Sequence, residues 1–516
     1  MEEVLRETLS LCPKCHSIIP AKVVEEENVI YLKKRCAEHG EFRDVYWSDA
    51  KYYRWAQRFF VEGRGVENPN TKDSLLPCPY NCGLCPRHRS HTALANLVVT
   101  NRCNLACWYC FFYSERAGYV YEPTLEQIES MLRLLREEKP VRCNAIQLTG
   151  GEPTLRDDLV DIIKLCKRLG FDHVQLNTNG IKLARDAELT RRIREAGTNT
   201  LYLSFDGVTK KTNPKNHEEV PKVIENCRKC GLGIVLVPTV IKSVNDHELG
   251  AIIRYAAENV DIVRGVNFQP VSLVGSMPRE VGRFRITIPE VLERIEEQTN
   301  GELTKYDFYP VPSVATISHF IEALKGRRTY EFTCSPWCGV ATYVFVSDGK
   351  LVPITRFVDV EGFFEYLKEL TSEIEKARFK RLARLKALVK LAKNFSKFVD
   401  KAKEPKGLEL ERLLPKIFAR RGKYRALGEF HHKTLFIGMM HFMDEYNYDV
   451  ARVQRCVIHY VMPDGRIVPF CSFNVIPHFY RDLVQKRFAI PIEEWEKKTG
   501  RKLAEDIYRR IEHSND

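Results

Sequence analysis

Between residues 97 and 268 the chain alternates short apolar runs with longer segments whose apolar residues recur at helical spacing. The runs 97–100, 145–148, 173–176, 200–205, 234–240 and 265–268 predict six β-strands. The segments 125–138, 156–169, 187–196, 218–230 and 246–258 predict the helices between them. Alternation at this spacing predicts an α/β fold with a parallel sheet and crossover helices. Chemistry in barrels gathers at the C-terminal ends of strands, and glycine-rich and polar residues fall at those ends here.

The first strand leads into Cys103-Asn104-Leu105-Ala106-Cys107-Trp108-Tyr109-Cys110. Three thiolates hold a four-iron cluster and leave its fourth iron open to a small molecule. A structural zinc site is the competing reading, but such sites usually close with four ligands. The second strand ends in Thr149-Gly150-Gly151-Glu152-Pro153, the third in Asn177-Thr178-Asn179-Gly180, the fourth in Ser204-Phe205-Asp206-Gly207. Each fragment alone is an ordinary turn, rich in Gly, Asn and Asp for backbone reasons. Their order, one per strand end, resembles the radical S-adenosylmethionine (radical SAM) enzymes. The resemblance implies a partial (β/α)6 barrel with a [4Fe-4S] cluster on Cys103, Cys107 and Cys110. S-adenosylmethionine (SAM) would bind the open iron beside Tyr109. Gly150, Gly151 and Glu152 would take its amino group, and Asn177, Asn179, Ser204 and Asp206 its ribose and carboxylate. Residues 237–240 and 267–269 would flank the adenine and the methionine.

The chain has 516 residues, enough for several domains, and 17 cysteines in short-spaced groups, which argue for metal rather than disulfides. Cys12 and Cys15, followed by Cys36 and His39, predict a zinc-ribbon or rubredoxin-like site for one zinc or iron ion. Cys78, Cys82 and Cys85 suit an auxiliary [4Fe-4S] cluster, with His88, His91, a distant cysteine or nothing as fourth ligand. Farther on, residues 343–353 and 459–469 repeat one pattern, each with Asp-Gly between apolar runs, a hairpin signal. Pairing of the two hairpins would gather Cys334, Cys338, Cys456 and Cys471 into a further auxiliary [4Fe-4S] or zinc site, giving up to three clusters. Cys143, Cys166, Cys227 and Cys230 read as free thiols. Residues 439–444 and His431-His432 read as packing.

Charge modifies this picture in one place. Residues 376–403 hold eleven Lys or Arg and one acid, against a chain net of +12. Apolar residues recur there at helical spacing, so the segment predicts a basic amphipathic helix, lying on a membrane or packed on the protein with a solvated basic face. The start of the chain has no basic leader and no apolar run approaches a membrane span. A cytoplasmic protein is expected, peripheral at the inner membrane face, with no nucleic-acid partner. The expected domains are a metal ribbon (1–60), an auxiliary loop (61–93), the barrel (94–275), and an α+β auxiliary-cluster domain (276–516) with a helical insertion at about 361–425.

Taken in order, these cysteine groups with 439–448 and 455–460 resemble the radical SAM tetraether lipid synthases of archaea. The resemblance implies joining the terminal methyl carbons of isoprenoid chains of diether phospholipids, with an electron donor such as a ferredoxin or flavodoxin. Ala93 stands where that family carries cysteine, which leaves the auxiliary loop one ligand short. A radical SAM methylase acting on a pterin-like coenzyme is the first alternative. A non-catalytic zinc-ribbon nucleic-acid binder, with steeply salt-dependent binding, is the second.

Overall fold

The computed structural model describes residues 2–72, 75–112, 117–406, 408–411 and 434–509. His431, His432 and residues 412–425 of the expected insertion lie outside them.

The N-terminal ribbon is an antiparallel meander of β1 (Glu3–Leu11), β2 (Ile18–Glu26), β3 (Val29–Cys36) and β4 (Gly40–Trp47). Glu27 and Asn28 join β2 to β3 with φ of 49° and 67°, the backbone of a tight hairpin. Buried ion pairs fasten the ribbon to the rest of the chain. Arg285 bonds Asp44 of β4 at 2.7 Å and Asp444 at 2.6 Å. Against the cost of burial, Arg285 holds the Asp444 carboxyl at about 2.

The main sheet begins with β5 (Leu94–Thr100). The two-residue β6 (Tyr119–Val120) stands apart from it. Then come β7 (Ala145–Gly150), β8 (His173–Thr178), β9 (Thr200–Ser204), β10 (Gly233–Val237), β11 (Thr239–Val240) and β12 (Val263–Pro270). Strands β5, β7, β8, β9, β10 and β12 pair in parallel in that order. The expected run 234–240 divides at Pro238, which has no N–H to give the ladder. Helices Leu125–Glu137, Leu159–Arg168, Ala187–Ala196, Val220–Cys230 and Leu249–Glu258 cross between the strands. Cys143, Cys166 and Cys227 are fully buried in the core beneath them.

The C-terminal half supplies β13 (Tyr309–Pro310), β14 (Gly339–Ser347), β15 (Lys350–Pro353), β16 (Thr434–Met440), β17 (Ile458–Val461), β18 (Ile467–Pro469) and β19 (Ile490–Pro491). The expected hairpins are β14–β15 and β17–β18. They do not pair with each other. The strand β16 adds in parallel to β12 and carries β14, while β17 adds in parallel to β5, so the hairpins flank opposite edges of the sheet. The flanks curl together: Cys334, before β14, packs with Val457, before β17.

The basic segment is not one helix. It breaks at residues 377–379 between helices Val360–Lys376 and Lys380–Asn394. Ala387, Leu391 and Phe395 pack on Phe363, Leu367 and Leu370, whereas Phe379, Leu382, Leu385 and Val389 are exposed. Among the described residues no helix is long and apolar enough to cross a membrane.

Candidate active site

One cavity of about 220 Å³ opens at the C-terminal ends of the parallel strands. Cys103, Cys107, Cys110, Tyr109, Gly150, Gly151, Glu152, Asn177, Asn179 and Ser204 all line it. The cysteine loop is held over the sheet by backbone. Gly151 N–H donates to Thr100 O at 2.8 Å and Glu152 N–H to Arg102 O at 2.7 Å. A Cβ at Gly150 would lie 2.0 Å from Thr100 O, and one at Gly151 2.0 Å from Arg102 O. The glycines therefore let the cysteine loop itself approach the second strand end.

Glu152 is buried, and its oxygens tie the second strand end to the third. Oε1 accepts from Thr178 Oγ1 at 2.7 Å and Thr154 Oγ1 at 2.6 Å, and Oε2 from the Asn179 N–H at 2.8 Å. Burial pushes the carboxyl up despite these donors. Asn179 Nδ2 reaches Asn104 of the cysteine loop at 2.7 Å. Burial also lifts the Cys107 thiol to about 11, opposed by Lys215. A metal cation at the loop would reverse that direction.

Asp206 stands behind the cavity wall. Its carboxylate bonds the Tyr109 hydroxyl, Lys215 and the Thr239 N–H, the last at 2.9 Å. Lys215 also bonds Ser204 Oγ and donates to Tyr109 Oη at 3.0 Å. It is the one cation among the described residues that line the cavity. Its sequence context, the polar loop 210–217, gives no sign of this.

The barrel interior below is polar. Asn96, Gln147, Asn177, Tyr202 and Asn267 face the cavity from β5, β7, β8, β9 and β12. Gln147 Nε2 donates to Asn96 Oδ1 at 2.8 Å, Asn177 Nδ2 to Thr149 Oγ1 at 3.2 Å, and Asn267 Nδ2 to the Tyr202 hydroxyl. The usable signal was a polar residue at an inward position of an otherwise apolar strand. The opposite wall is aromatic and apolar: Phe442 stacks on Phe470 at 4.0 Å, beside Phe111, Phe112, Met440 and Met443. The 439–444 run, read as helical packing, thus begins at the end of a strand and turns Met440, Phe442 and Met443 to the cavity.

The remaining cysteine groups lie around this centre. Cys78, Cys82 and Cys85 border one small pocket, with Cys82 Sγ 3.3 Å from Ser472 Oγ. His88 Nε2 is 2.9 Å from Cys456 O and 3.1 Å from His459 Nε2, and His91 Nε2 accepts from the Glu331 N–H at 2.9 Å. His88 lines the same small pocket as the three thiols. Cys334 is near Cys338 and Cys456, Cys456 is near Cys471, and Cys471 also lines the cavity.

In the ribbon, Cys12 Sγ lies 3.7 Å and Cys36 Sγ 3.5 Å from His39 Nδ1, and Cys15 Sγ lies 3.9 Å from Cys36 Sγ. A tetrahedral zinc ion, with bonds of about 2.3 Å to sulfur and about 2.0 Å to nitrogen, sets its ligand atoms roughly 3.5–3.8 Å apart. The four groups fit zinc. Bonds from the Ser17 hydroxyl and N–H hold the Cys15 thiol at about 6, favouring the thiolate that a metal needs.

The pattern of the radical SAM superfamily matches residues 97–256, and that of the HMPTM N-terminal zinc ribbon domain residues 4–48. The chain is 49% identical over 501 residues to the 7,8-dihydro-6-hydroxymethylpterin dimethyltransferase of Methanocaldococcus jannaschii, across 95% of this chain and 97% of that protein. It is 33% identical over 264 residues to the probable GTP 3′,8-cyclase of Pyrococcus horikoshii, across 50% of this chain and 72% of that protein. Among solved structures, a radical SAM methyltransferase from Sphaerobacter thermophilus overlaps 58% of this chain and 73% of its own, at 12% identity and a TM-score of 0.27.

The protein is a radical SAM enzyme that uses [4Fe-4S] and SAM, with a zinc ion in its ribbon. The match along nearly the whole chain overturns the resemblance to tetraether lipid synthases. Lipid chain joining, the diether phospholipid substrate and the membrane-surface partner fall with it. The reason is physical as well. Alkyl radicals need a dry apolar channel, and this cavity is crossed by Asn96, Gln147, Asn177, Tyr202 and Asn267. The cysteine spacing behind the resemblance fixes clusters, which serve many substrates, and says nothing of the barrel interior. With this extent of identity, the chain belongs to the family of the 7,8-dihydro-6-hydroxymethylpterin dimethyltransferase of Methanocaldococcus jannaschii.

Proposed function

We propose that this enzyme transfers methyl groups to a reduced pterin, 7,8-dihydro-6-hydroxymethylpterin. The observation that carries the reading is a cavity with amide and phenol groups on its floor and a stacked aromatic wall. A flat heterocycle with polar edges needs both surfaces. A phytanyl chain needs neither.

On this reading Cys103, Cys107 and Cys110 hold the cluster whose open iron takes SAM. When bound, the pair would supply a hydrogen-abstracting radical to the adjoining substrate, the cluster's electron being spent on cleaving SAM. Gly150 and Gly151 seat the cysteine loop, and Glu152 and Asn179 lock it to two strand ends. Lys215, held by Asp206, Ser204 and Tyr109, is the cation available to the methionine carboxylate. Cys78, Cys82 and Cys85, and the group Cys334, Cys338, Cys456 and Cys471, are assigned to auxiliary clusters. The thiols of each group lie near one another, which supports the assignment. The aromatic wall excludes water from the radical.

Anaerobic SAM cleavage by the iron-reconstituted protein tests the substrate class. Formation of 5′-deoxyadenosine should rise several-fold on adding the dihydropterin and stay at its basal rate with archaeal diether phospholipid. Stimulation by the lipid alone would overturn the reading.

A further inference from the structure

Four neighbouring strands carry polar side chains at one level of the barrel. Strand register pairs Tyr460 with Asn96, Asn96 with Gln147, and Gln147 with Gln175. The amides along this row point one way. Gln175 Nε2 donates to Gln147 Oε1, and Gln147 Nε2 donates to Asn96 Oδ1 at 2.8 Å. A carboxamide has one accepting end and one donating end, so the row terminates in a donor, Asn96 Nδ2. Asn96 is 1% exposed and lines the cavity, and its Nδ2 has no partner among the described residues.

A second group of this kind borders the same cavity. Asn474 is 4% exposed and lines the same cavity. Its Nδ2 donates to Phe470 O at 3.0 Å, which leaves Oδ1 without a partner among the described residues. Its amide lies against the hydroxyl of Tyr460, the register partner of Asn96. A buried donor and a buried acceptor, both unpaired, therefore border one cavity at the junction of β5 and β17. Such groups are costly to leave unbonded, and a site that does so discriminates strongly for a ligand that bonds them.

An unpaired donor and an unpaired acceptor on one cavity wall complement a cis-amide edge, in which a carbonyl adjoins an N–H. We infer that Asn96 and Asn474 read the lactam edge of the pterin. Asn96 Nδ2 donates to the C4 carbonyl and Asn474 Oδ1 accepts from the neighbouring N3–H. The inference rests on the pterin reading and adds the specificity residues to it. The row orients Asn96, because turning its amide alone would break the bond from Gln147. Asn474 comes from the segment after β18, so the C-terminal half contributes to substrate choice.

The inference predicts discrimination between two pteridines of nearly equal shape. A 4-amino analogue presents a donor at C4 and an acceptor at N3, the reverse of the lactam. Binding of each to the reconstituted, SAM-loaded enzyme is titrated anaerobically by pterin fluorescence. The native protein should bind 7,8-dihydro-6-hydroxymethylpterin at least about tenfold more tightly than its 4-amino analogue. Asn96→Leu and Asn474→Leu should each weaken binding of the lactam about tenfold and narrow that preference. Iron content and SAM binding report whether each variant is folded, and the analogue comparison on the native protein needs no variant. Equal affinity of the native protein for the two compounds would overturn the inference, as would folded variants that bind the lactam like the native protein. A native protein that binds neither compound would instead overturn the pterin reading, and the inference with it.

Discussion

The Asn179 N–H donates to Glu152 Oε2 at 2.8 Å, and Asn179 Nδ2 donates to Asn104 Oδ1 at 2.7 Å. One asparagine thus links the end of the second strand to the loop that carries the three cysteines. Glu152→Ala would leave Thr178, Thr154 and the Asn179 N–H without their acceptor, each at a cost of about 1–3 kcal/mol when buried. The variant should lose several degrees of thermal stability and nearly all SAM cleavage, read by calorimetry and by 5′-deoxyadenosine release. Native cleavage in Glu152→Ala would remove the carboxylate from this role.

Lys215 gives a separable outcome, because it touches side chains rather than the loop backbone. Lys215→Met should weaken SAM binding by about tenfold to a hundredfold, the range for a lost charged hydrogen bond. Lys215→Arg should recover part of it. Equilibrium binding with the cluster in place checks both, and iron content should not change.

The zinc ribbon lends itself to metal removal. Its three cysteines and His39 surround a space of zinc dimensions, and Arg285 ties Asp44 of β4 to Asp444. Metal binding and folding are coupled in such sites. Cys36→Ser should lose stoichiometric zinc and lower the unfolding temperature of the whole protein. Zinc analysis with thermal unfolding, before and after chelation of the native protein, reads the effect.

Glu138 carries a pH signature away from the cavity. Burial pushes its carboxyl from 4.5 to about 7, against a bond from the Thr92 N–H at 2.7 Å, and Oε2 has no partner among the described residues. The folded state therefore holds a proton that the unfolded chain releases first. This stabilisation is full below about pH 4.5 and is lost as pH rises through about 7. Above pH 7 the ionised group costs on the order of 3 kcal/mol. Glu138→Gln should be the more stable protein at pH 8, with the difference closing towards pH 5. Parallel urea titrations at the two pH values measure it.

Much of the scaffold was legible in the sequence, because local pattern determines it. Six parallel strands follow from apolar periodicity, and the spacing of Cys103, Cys107 and Cys110 at a strand end follows from what an iron cluster needs. The zinc ligands Cys12, Cys15, Cys36 and His39 were legible for the same reason. The addition of β16 and β17 to opposite edges was not, since both depend on pairings between strands far apart in the chain. Substrate class was misread because the cysteines report the cofactor and not the ligand. The residues we assign to it, Asn96, Gln147, Tyr202 and Asn474, sit singly among apolar neighbours and gain meaning only from the tertiary arrangement that gathers them at one cavity.

The most direct measurement is anaerobic incubation of the reconstituted protein with SAM, a reductant, 7,8-dihydro-6-hydroxymethylpterin and a one-carbon donor, further SAM or a methylene-bearing reduced folate in parallel, with the pterin read by mass spectrometry. The account expects pterin heavier by one and then two methyl groups, formed alongside 5′-deoxyadenosine and absent in Cys103→Ala. Pterin of unchanged mass, with the clusters intact and 5′-deoxyadenosine accumulating, would contradict it.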